Sequence, residues 1–364
     1  AGAKGINLCG MCCSGAEVLV RHGIPHAGNF MSTETILVTG AVDAMTVDVQ
    51  CIKQGLVKVA DCYETPLITT NPRCKIEGAT HIEFHEHTPK DCTDEIVIRA
   101  IGRFKSRSKP VEIPQIKNSG VHGFSHEYIN YMLGGSFRAS YTPLNDNIIN
   151  GRIRGIAGVV GCNNARGRHN EAHLTLVKEL VKNDVIVLTT GCNGIACAME
   201  GLLTPGAAAV YCGPGLSEIC ETVGIPPVLH LGSCVDNSRI LLAATEVVKA
   251  GGLGNDIQDL PAAGAAPEWM SEKAISIGHY FVTSGVYTLF GVNLPTSGAP
   301  VFQQYLFEEL EKIYGGKWDL AADPIEMARK MIAHIDKKRK ELGIDKARER
   351  VLMDMADRQA LAME

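Results

Sequence analysis

The stretch VIVLTTGCNG, residues 185–194, indicates the class of fold. Its first five residues are apolar or β-branched, which predicts a strand at 185–189. A glycine turn that contains Cys192 follows, and the mostly apolar residues at 194–202 predict a helix. A strand that passes through a tight turn into a helix is the repeating unit of an α/β sheet.

The same alternation extends outward in both directions along the chain. Apolar runs predict strands at 5–10, 44–50, 66–70, 153–160, 185–189 and 227–232. Helical spacing predicts helices at 16–22, 33–40, 52–62, 125–133, 171–182, 194–202, 216–223, 237–250, 271–284 and 324–342. Strands separated by helices imply right-handed connections and mostly parallel sheets.

The length of the chain predicts two domains. With 364 residues it exceeds one ordinary hydrophobic core. Residues from about 103 to 147 interrupt the alternation, and SYTPLNDN at 140–147 predicts a turn. We therefore predict one domain at 1–147, with a linker from about 103, and a second at 148–364 with a charged helical tail. Because the chain opens in a strand-like segment without an initiator methionine, we expect the first domain to be truncated and the numbering to begin inside a longer polypeptide.

Charge and cysteine content restrict the class of function. A net charge of −5 provides no basic excess to neutralise phosphates, so we expect neither nucleic-acid nor membrane-surface binding. No apolar run approaches the roughly 20 residues that span a bilayer. The chain has thirteen cysteines, is too large to need disulfides and opens without a secretory signal. These features favour a cytoplasmic location and metal-binding or redox roles for the cysteines.

Five cysteines share one position, where an apolar strand ends and a polar or glycine-rich turn begins. They are Cys13, Cys51, Cys162, Cys192 and Cys234. The carboxyl ends of strands in an open α/β sheet meet at a crevice where ligands bind. Thiolates hold iron–sulfur clusters and also suit nickel beside iron. The long spacings differ from the compact C-x-x-C of a ferredoxin. We therefore expect a metal cluster in the cleft between the two domains.

The other cysteines have a simpler interpretation. Free cysteine often packs as a small buried hydrophobe. We assign that role to Cys9, Cys62, Cys74, Cys92, Cys197, Cys212 and Cys220. Cys12 is a separate case because it adjoins Cys13. Since adjacent side chains normally diverge, we expect Cys12 beside the metal ligands rather than among them.

Two groups of histidines remain open to more than one interpretation. His81, His85 and His87 suggest a metal site, but the strand-like alternation and the polar turn favour a surface hairpin. His230 precedes Cys234 by four residues, so it either packs in the core or lies beside the metal ligands.

Several sequence strings, in the same order along nearly the whole chain, resemble the anaerobic nickel-containing carbon monoxide dehydrogenases. The strings are GINLCGMCCSGAEVLVRHGIP, VDVQC, VVGCNNAR, TTGCNGIACA, PPVLHLGSCVDNSR and APEWMSEKAISIG. The resemblance covers the middle and C-terminal Rossmann-like domains of the family's catalytic subunit. It implies that the helical N-terminal domain, which carries 4Fe-4S relay clusters, is not in this chain.

The resemblance also implies a catalytic centre and the residues that hold it. In the family a nickel–iron–sulfur C-cluster is held by five cysteines and one histidine. By position the cysteines correspond to Cys13, Cys51, Cys162, Cys192 and Cys234, with Cys234 at nickel. The histidine ligand is expected upstream of residue 1.

Lys273 and Ile277 acquire roles only through this resemblance. From the residues alone, Lys273 beside Glu272 is a solvated lysine at the start of a helix, and Ile277 is a core residue on the same helical face. The resemblance implies that Lys273 stabilises a bound carboxylate and that Ile277 crowds the substrate. The implied reaction is the reversible oxidation of CO with water to CO2, two protons and two electrons.

The resemblance further implies a homodimer, a ferredoxin-like electron acceptor, and an acetyl-CoA synthase or hydrogenase partner. Two alternatives remain. A hybrid-cluster-type iron–sulfur oxidoreductase would share the architecture, use glutamate ligands and contain no nickel. A non-catalytic iron–sulfur electron carrier would not oxidise CO.

Overall fold

The computed structural model describes residues 1–48, 51, 53–134 and 139–346. Within them the strands are β1 (Gly10–Met11), β2 (His26–Gly28), β3 (Met45–Val47), β4 (Leu67–Thr69), β5 (Thr80–His81), β6 (Gly155–Val159), β7 (Val185–Thr189), β8 (Val228–His230), β9 (Ala262–Ala266), β10 (Thr288–Phe290) and β11 (Trp318–Leu320). The helices are α1 (Cys12–His22), α2 (Thr33–Val38), α3 (Leu56–Cys62), α4 (Pro89–Lys105), α5 (His126–Gly134), α6 (Thr142–Ile149), α7 (Glu171–Lys182), α8 (Gly191–Met199), α9 (Ala207–Tyr211), α10 (Pro214–Val223), α11 (Ser238–Ala250), α12 (Glu272–Thr283), α13 (Pro300–Gln304), α14 (Leu310–Tyr314) and α15 (Pro324–Glu341).

A six-stranded sheet organises the second half of the chain. Its order is β11-β10-β9-β6-β7-β8, and every neighbouring pair is parallel. From the β8 edge this is the order 3-2-1-4-5-6 of a Rossmann sheet. The chain reverses direction across the sheet between β6 and β9, so a crevice opens at the carboxyl ends of these strands. The predicted α/β class with parallel sheets is confirmed.

The central strand β7 shows why its sequence is continuously apolar. All five of its residues are buried, because helices cover both faces of the sheet. Helix α7 buries Leu176, Val177, Leu180 and Val181 in the same core. Both β7 and α7 have the predicted bounds, since each has a strong local pattern and a clear end.

Half of the large sheet was not predicted. Strand β9 has the sequence AAGAA, and alanine and glycine are weak strand formers. Strands β10 and β11 have three residues each, too few to show periodicity. The turn predicted at 140–147 is wrong, because residues 142–149 form helix α6 with Pro143 in its first turn, where proline is tolerated. Helix α4 was also missed.

The first half contains two smaller parallel sheets, β1-β2 and β3-β4-β5. The strand predicted at 5–10 is reduced to the two residues of β1. The hairpin predicted around His81 is wrong, because this residue lies in β5, which pairs in parallel with β4. His85 and His87 are exposed.

The linker from about residue 103 stays a prediction. Residues 106–125 form neither a helix nor a strand apart from one isolated bridge, between His122 and His230. The division into domains at residue 147 stays a prediction, and the predicted tail beyond residue 346 lies outside the described residues. Within the described residues no helix combines the length and apolar character needed to cross a bilayer.

Candidate metal centre

The five strand-end cysteines lie where the sequence predicts, each after a strand of a parallel sheet. Cys13 and Cys192 lie in the first turns of α1 and α8. Cys162 follows β6, and Cys234 begins a short 3₁₀ turn after β8. Cys51 comes after β3.

The fold brings these thiols together from distant parts of the chain. The sulfur atoms of Cys12, Cys13 and Cys51 lie within 4.8 Å of one another. The Sγ atoms of Cys13 and Cys234 are 2.9 Å apart, and those of Cys12 and Cys192 are 3.8 Å apart. The thiol of Cys162 lies close enough to this group to interact electrostatically with Cys192, Cys51 and Cys13. We call these six residues the thiol cluster.

The position of Cys12 corrects one expectation. Its thiol does not point away from that of Cys13, because its backbone adopts a left-handed conformation with φ of 53°. Cys51 has φ of 52°. A left-handed conformation costs a non-glycine residue about 1–2 kcal/mol, and such strain concentrates at functional sites. The assignment of Cys12 as a neighbour of the metal ligands, rather than as a ligand, stays a prediction.

Burial disfavours the charged form of a thiol. Cys13 and Cys192 each expose only 1% of their surface. Burial and the neighbouring thiols raise the pKa of Cys162. The contact with Cys12 lowers the pKa of the Cys51 thiol. The contact with Cys13 and burial outweigh this effect and raise the pKa to about 12. A soft metal cation would supply the missing charge. The chemistry of this donor set therefore fits a thiolate-bound metal centre.

Three side chains, the buried Asn29 and His173 and the partly buried His26, hold the backbone of the cysteines. His26 donates from Nε2 to the carbonyl oxygen of Cys12 at 2.9 Å, and His173 donates to that of Cys162 at 2.6 Å. Asn29 donates to the carbonyl oxygen of Cys192 at 3.4 Å. Such contacts fix the orientation of ligands.

These three residues were not predicted from the sequence, because no local pattern relates them to their cysteines. Burial lowers the pKa of both histidines to about 4. They therefore stay neutral at physiological pH.

Lys273 lies beside the thiol cluster, in the first turn of α12. Its ammonium group is buried and has no hydrogen-bond partner among the described residues. Burial alone would lower the pKa of this lysine, but the charges of the cluster thiols, led by Cys51 and Cys13, raise it overall. The lysine is therefore a cation with a buried ammonium group, rather than the solvated side chain that the residues alone suggest.

A cavity of about 30 Å³ adjoins the lysine. It is lined by Cys162, Cys234 and Lys273 and by apolar residues that include Ile277. It has room for a very small molecule, on the scale of one water. A small apolar ligand could reach the thiols and the ammonium group together in this space.

His230 is fully buried and packs on α8 at Gly194, two residues from Cys192. Its Nδ1 lies 2.8 Å from Nδ1 of His122. His230 therefore packs against the helix that carries Cys192, and its functional role stays a prediction.

The fold and the site together define an α/β protein with a buried cluster of thiols, suited to metal binding, at the ends of parallel strands. The chain belongs to the Prismane/CO dehydrogenase family, whose profile matches residues 1–325. It is 51% identical over 345 residues to carbon monoxide dehydrogenase 1 of Methanosarcina mazei, an alignment that covers 94% of this chain and 54% of that protein.

Two solved structures are similar over the same region. A nickel-free crystal structure of carbon monoxide dehydrogenase from Thermococcus sp. AM4 has a TM-score of 0.88 and 50% identity, covering 94% of this chain and 53% of that one. A structure of acetyl-CoA synthase/carbon monoxide dehydrogenase, described with NiZn[Fe4S4] and NiNi[Fe4S4] clusters, has a TM-score of 0.88 and 40% identity, covering 94% and 52%. This chain spans about half the length of the curated relatives that it matches.

Proposed function

We propose that this chain carries the catalytic nickel–iron–sulfur centre of an anaerobic carbon monoxide dehydrogenase. The reaction is the reversible oxidation of CO with water to CO2, two protons and two electrons. The observation that carries this proposal is the convergence of the thiol cluster on one buried cation, Lys273, beside a small cavity. The family membership and the 51% identity to a carbon monoxide dehydrogenase support the same function.

The ligand assignment comes from the resemblance to the family, and the closeness of the thiols supports it. We assign Cys13, Cys51, Cys162, Cys192 and Cys234 as ligands, with Cys234 at nickel and a histidine from outside these residues as the sixth. Nickel and iron in thiolate sites provide Lewis-acid activation of a small ligand and storage of electrons.

The side chains of this chain would stabilise charge on the substrate, shape the cavity and exclude bulk water. Lys273 presents a positive charge where negative charge develops on the substrate oxygen atoms. Because its ammonium group is already buried and has no hydrogen-bond partner among the described residues, it needs little reorganisation. Loss of one such donor typically costs about 3 kcal/mol of transition-state stabilisation. Ile277 and the apolar cavity wall would exclude bulk water and admit a molecule as small as CO.

The proposal also covers the rest of the enzyme, its partners and its location. We expect 4Fe-4S relay clusters in the remainder of the enzyme, a homodimer, a ferredoxin-like electron acceptor and a cytoplasmic location. An acetyl-CoA synthase partner is favoured over a hydrogenase, because one similar solved structure is an acetyl-CoA synthase/carbon monoxide dehydrogenase.

Metal analysis and CO-dependent dye reduction on anaerobically purified holoprotein test the function. The proposal predicts nickel and iron together, with CO-dependent reduction of a viologen dye. Cys234→Ser should remove nickel and activity. Cys197→Ala is the matched control, because Cys197 is also fully buried in the same region but is not part of the thiol cluster.

Three results would contradict the proposal. Iron without nickel would favour a hybrid-cluster-type oxidoreductase. An intact cluster without CO-dependent dye reduction would favour an electron carrier. Equal losses of nickel in the Cys234 and Cys197 variants would remove the assignment of Cys234.

A further inference from the structure

An ion pair connects helix α1, which carries Cys13, to helix α11, which follows the turn of Cys234. Glu17 lies four residues after Cys13, on the next turn of α1. Arg239 lies in the first turn of α11, just after the turn that Cys234 begins. The guanidinium group donates from NH2 to Oε1 of Glu17 at 2.6 Å. The pair therefore joins segments that are 222 residues apart.

Glu17 and Arg239 also contact the residues around Cys234. Glu17 accepts a hydrogen bond through Oε2 from the amide of Ser233 at 3.2 Å. Arg239 donates to the carbonyl oxygen of Leu231 at 2.6 Å and pairs with Asp236 at 2.9 Å. The residues on each side of Cys234 are thus tied to the same arginine.

The fit is close enough to restrict movement. A Cβ added at Gly232 would lie 2.4 Å from NH1 of Arg239, so the loop backbone lies directly against the guanidinium group. The side chains of Arg239 and Glu17 expose 16% and 23% of their surface. Burial would raise the pKa of Glu17, but the hydrogen bonds from Arg239, Arg21 and Ser233 lower it overall. The pair therefore stays charged at neutral pH.

We propose that Glu17 and Arg239 form a positioning brace that sets the separation of the Cys13 and Cys234 thiols and thereby retains nickel. Through its contacts with Leu231, Ser233 and Asp236, the brace fixes the segment around Cys234 relative to helix α1. This inference rests on the proposed function, in which Cys234 binds nickel and Cys13 binds the same cluster. The brace touches neither substrate nor metal, because its contacts are to backbone and to carboxylate groups.

Selective loss of nickel is the expected result of loosening the brace. Within the described residues, the hydrogen bonds and ion pairs of Glu17 and Arg239 involve none of Cys51, Cys162 and Cys192, the thiols that would hold iron. Cys234 alone would gain freedom relative to the rest of the cluster. A general loss of stability would instead release iron and nickel together.

The test uses anaerobic holoprotein and the rate of nickel loss to dimethylglyoxime, with retained iron measured by elemental analysis on the same samples. Glu17→Gln keeps the size of the side chain and removes its charge. We expect nickel release about five- to tenfold faster than in the wild type, with iron content unchanged and an altered EPR signal of the cluster. Arg239→Lys keeps the positive charge but loses the planar set of guanidinium donors. It should therefore increase the rate of nickel release by less than Glu17→Gln does.

The matched control is Asp43→Asn. Asp43 pairs with Arg107 through two bonds of 2.7 and 2.6 Å, and both side chains are 24% exposed. This pair joins segments of the first half and involves no member of the thiol cluster. Its loss should leave the rate of nickel release within about twofold of the wild type.

The possible outcomes separate this inference from the proposed function. Nickel release from Glu17→Gln at the rate of Asp43→Asn would overturn the brace while leaving the function intact. Proportional loss of iron and nickel would overturn it too, since that pattern indicates a merely structural role. Absence of nickel from the wild-type holoprotein would overturn both proposals.

Discussion

Replacement of Gly191 by alanine would test how closely the first turn of α8 packs against Cys234. Gly191 has φ of 59°, a left-handed conformation that favours glycine. A Cβ at this position would lie 2.9 Å from Cβ of Cys234 and 3.3 Å from its Sγ. Gly191→Ala therefore combines backbone strain with a steric clash at a predicted nickel ligand.

The two effects have different magnitudes. An alanine in the left-handed region costs about 1 kcal/mol, at the lower end of the usual range. Carbon atoms in contact prefer separations of about 3.5–4.0 Å, so Cys234 or the start of α8 must shift by about 0.6 Å or more. Overpacking of this kind costs about 1–3 kcal/mol. The free energy of unfolding should fall by about 2–4 kcal/mol in total.

Gly201→Ala separates the two effects. Gly201 has φ of 79°, and a Cβ there would meet nothing within 4 Å. It should lose only about 1 kcal/mol, from backbone strain alone. Denaturant unfolding of both variants under anaerobic conditions gives the free energies, and elemental analysis gives the nickel and iron content.

Only Gly191→Ala should lose metal, because only this variant displaces Cys234. Equal destabilisation of the two variants, with full nickel content in both, would refute the packing argument.

Three further predictions concern charge and protonation. Lys273→Ala should lower kcat/KM for CO oxidation by about 100- to 1,000-fold with the metal content unchanged, since one preorganised charge is lost; unchanged kinetics would contradict the role of this lysine. In metal-depleted protein at pH 8, Cys51 should react with iodoacetamide at least about 100-fold more slowly than the exposed Cys9, because the pKa of Cys51 is raised to about 12 and only the thiolate reacts; peptide mass spectrometry measures both rates. His334 stacks on Tyr287 with ring centroids 4.6 Å apart, and burial lowers its pKa to about 4. Because the folded-state pKa lies below the ordinary value of 6.5, the wild type should lose stability as the pH falls from about 6.5 towards 4. His334→Phe should remove about 2–3 kcal/mol of that loss, as measured by unfolding at several pH values.

Much of the α/β architecture could be predicted from local pattern. Strand β7 and helix α7 have the predicted bounds, because a buried strand and an amphipathic helix each impose a characteristic spacing on their own residues. Strand β9 escaped prediction because its AAGAA sequence carries no such spacing and is held by its neighbours in the sheet. Contacts with neighbouring strands, rather than local strand propensity, therefore determine the half of the sheet that was not predicted.

The predicted site divides in the same way. The shared position of the cysteines at strand ends was visible in the sequence, because parallel strands deliver their carboxyl ends to one edge of a sheet. The sequence could not show that the backbone of Cys12 turns its thiol into the cluster. Nor could it show that His26 and His173 hold the cysteine backbone.

The sequence by itself determined which residues could bind a metal, since ligand chemistry is a property of the side chain and its strand-end position is encoded locally. Only the tertiary structure decided the distances between the thiols, the burial of Lys273 and the pairing of Glu17 with Arg239. These features depend on contacts between segments up to 222 residues apart. No local pattern specifies such contacts, because they form only when the whole chain has packed.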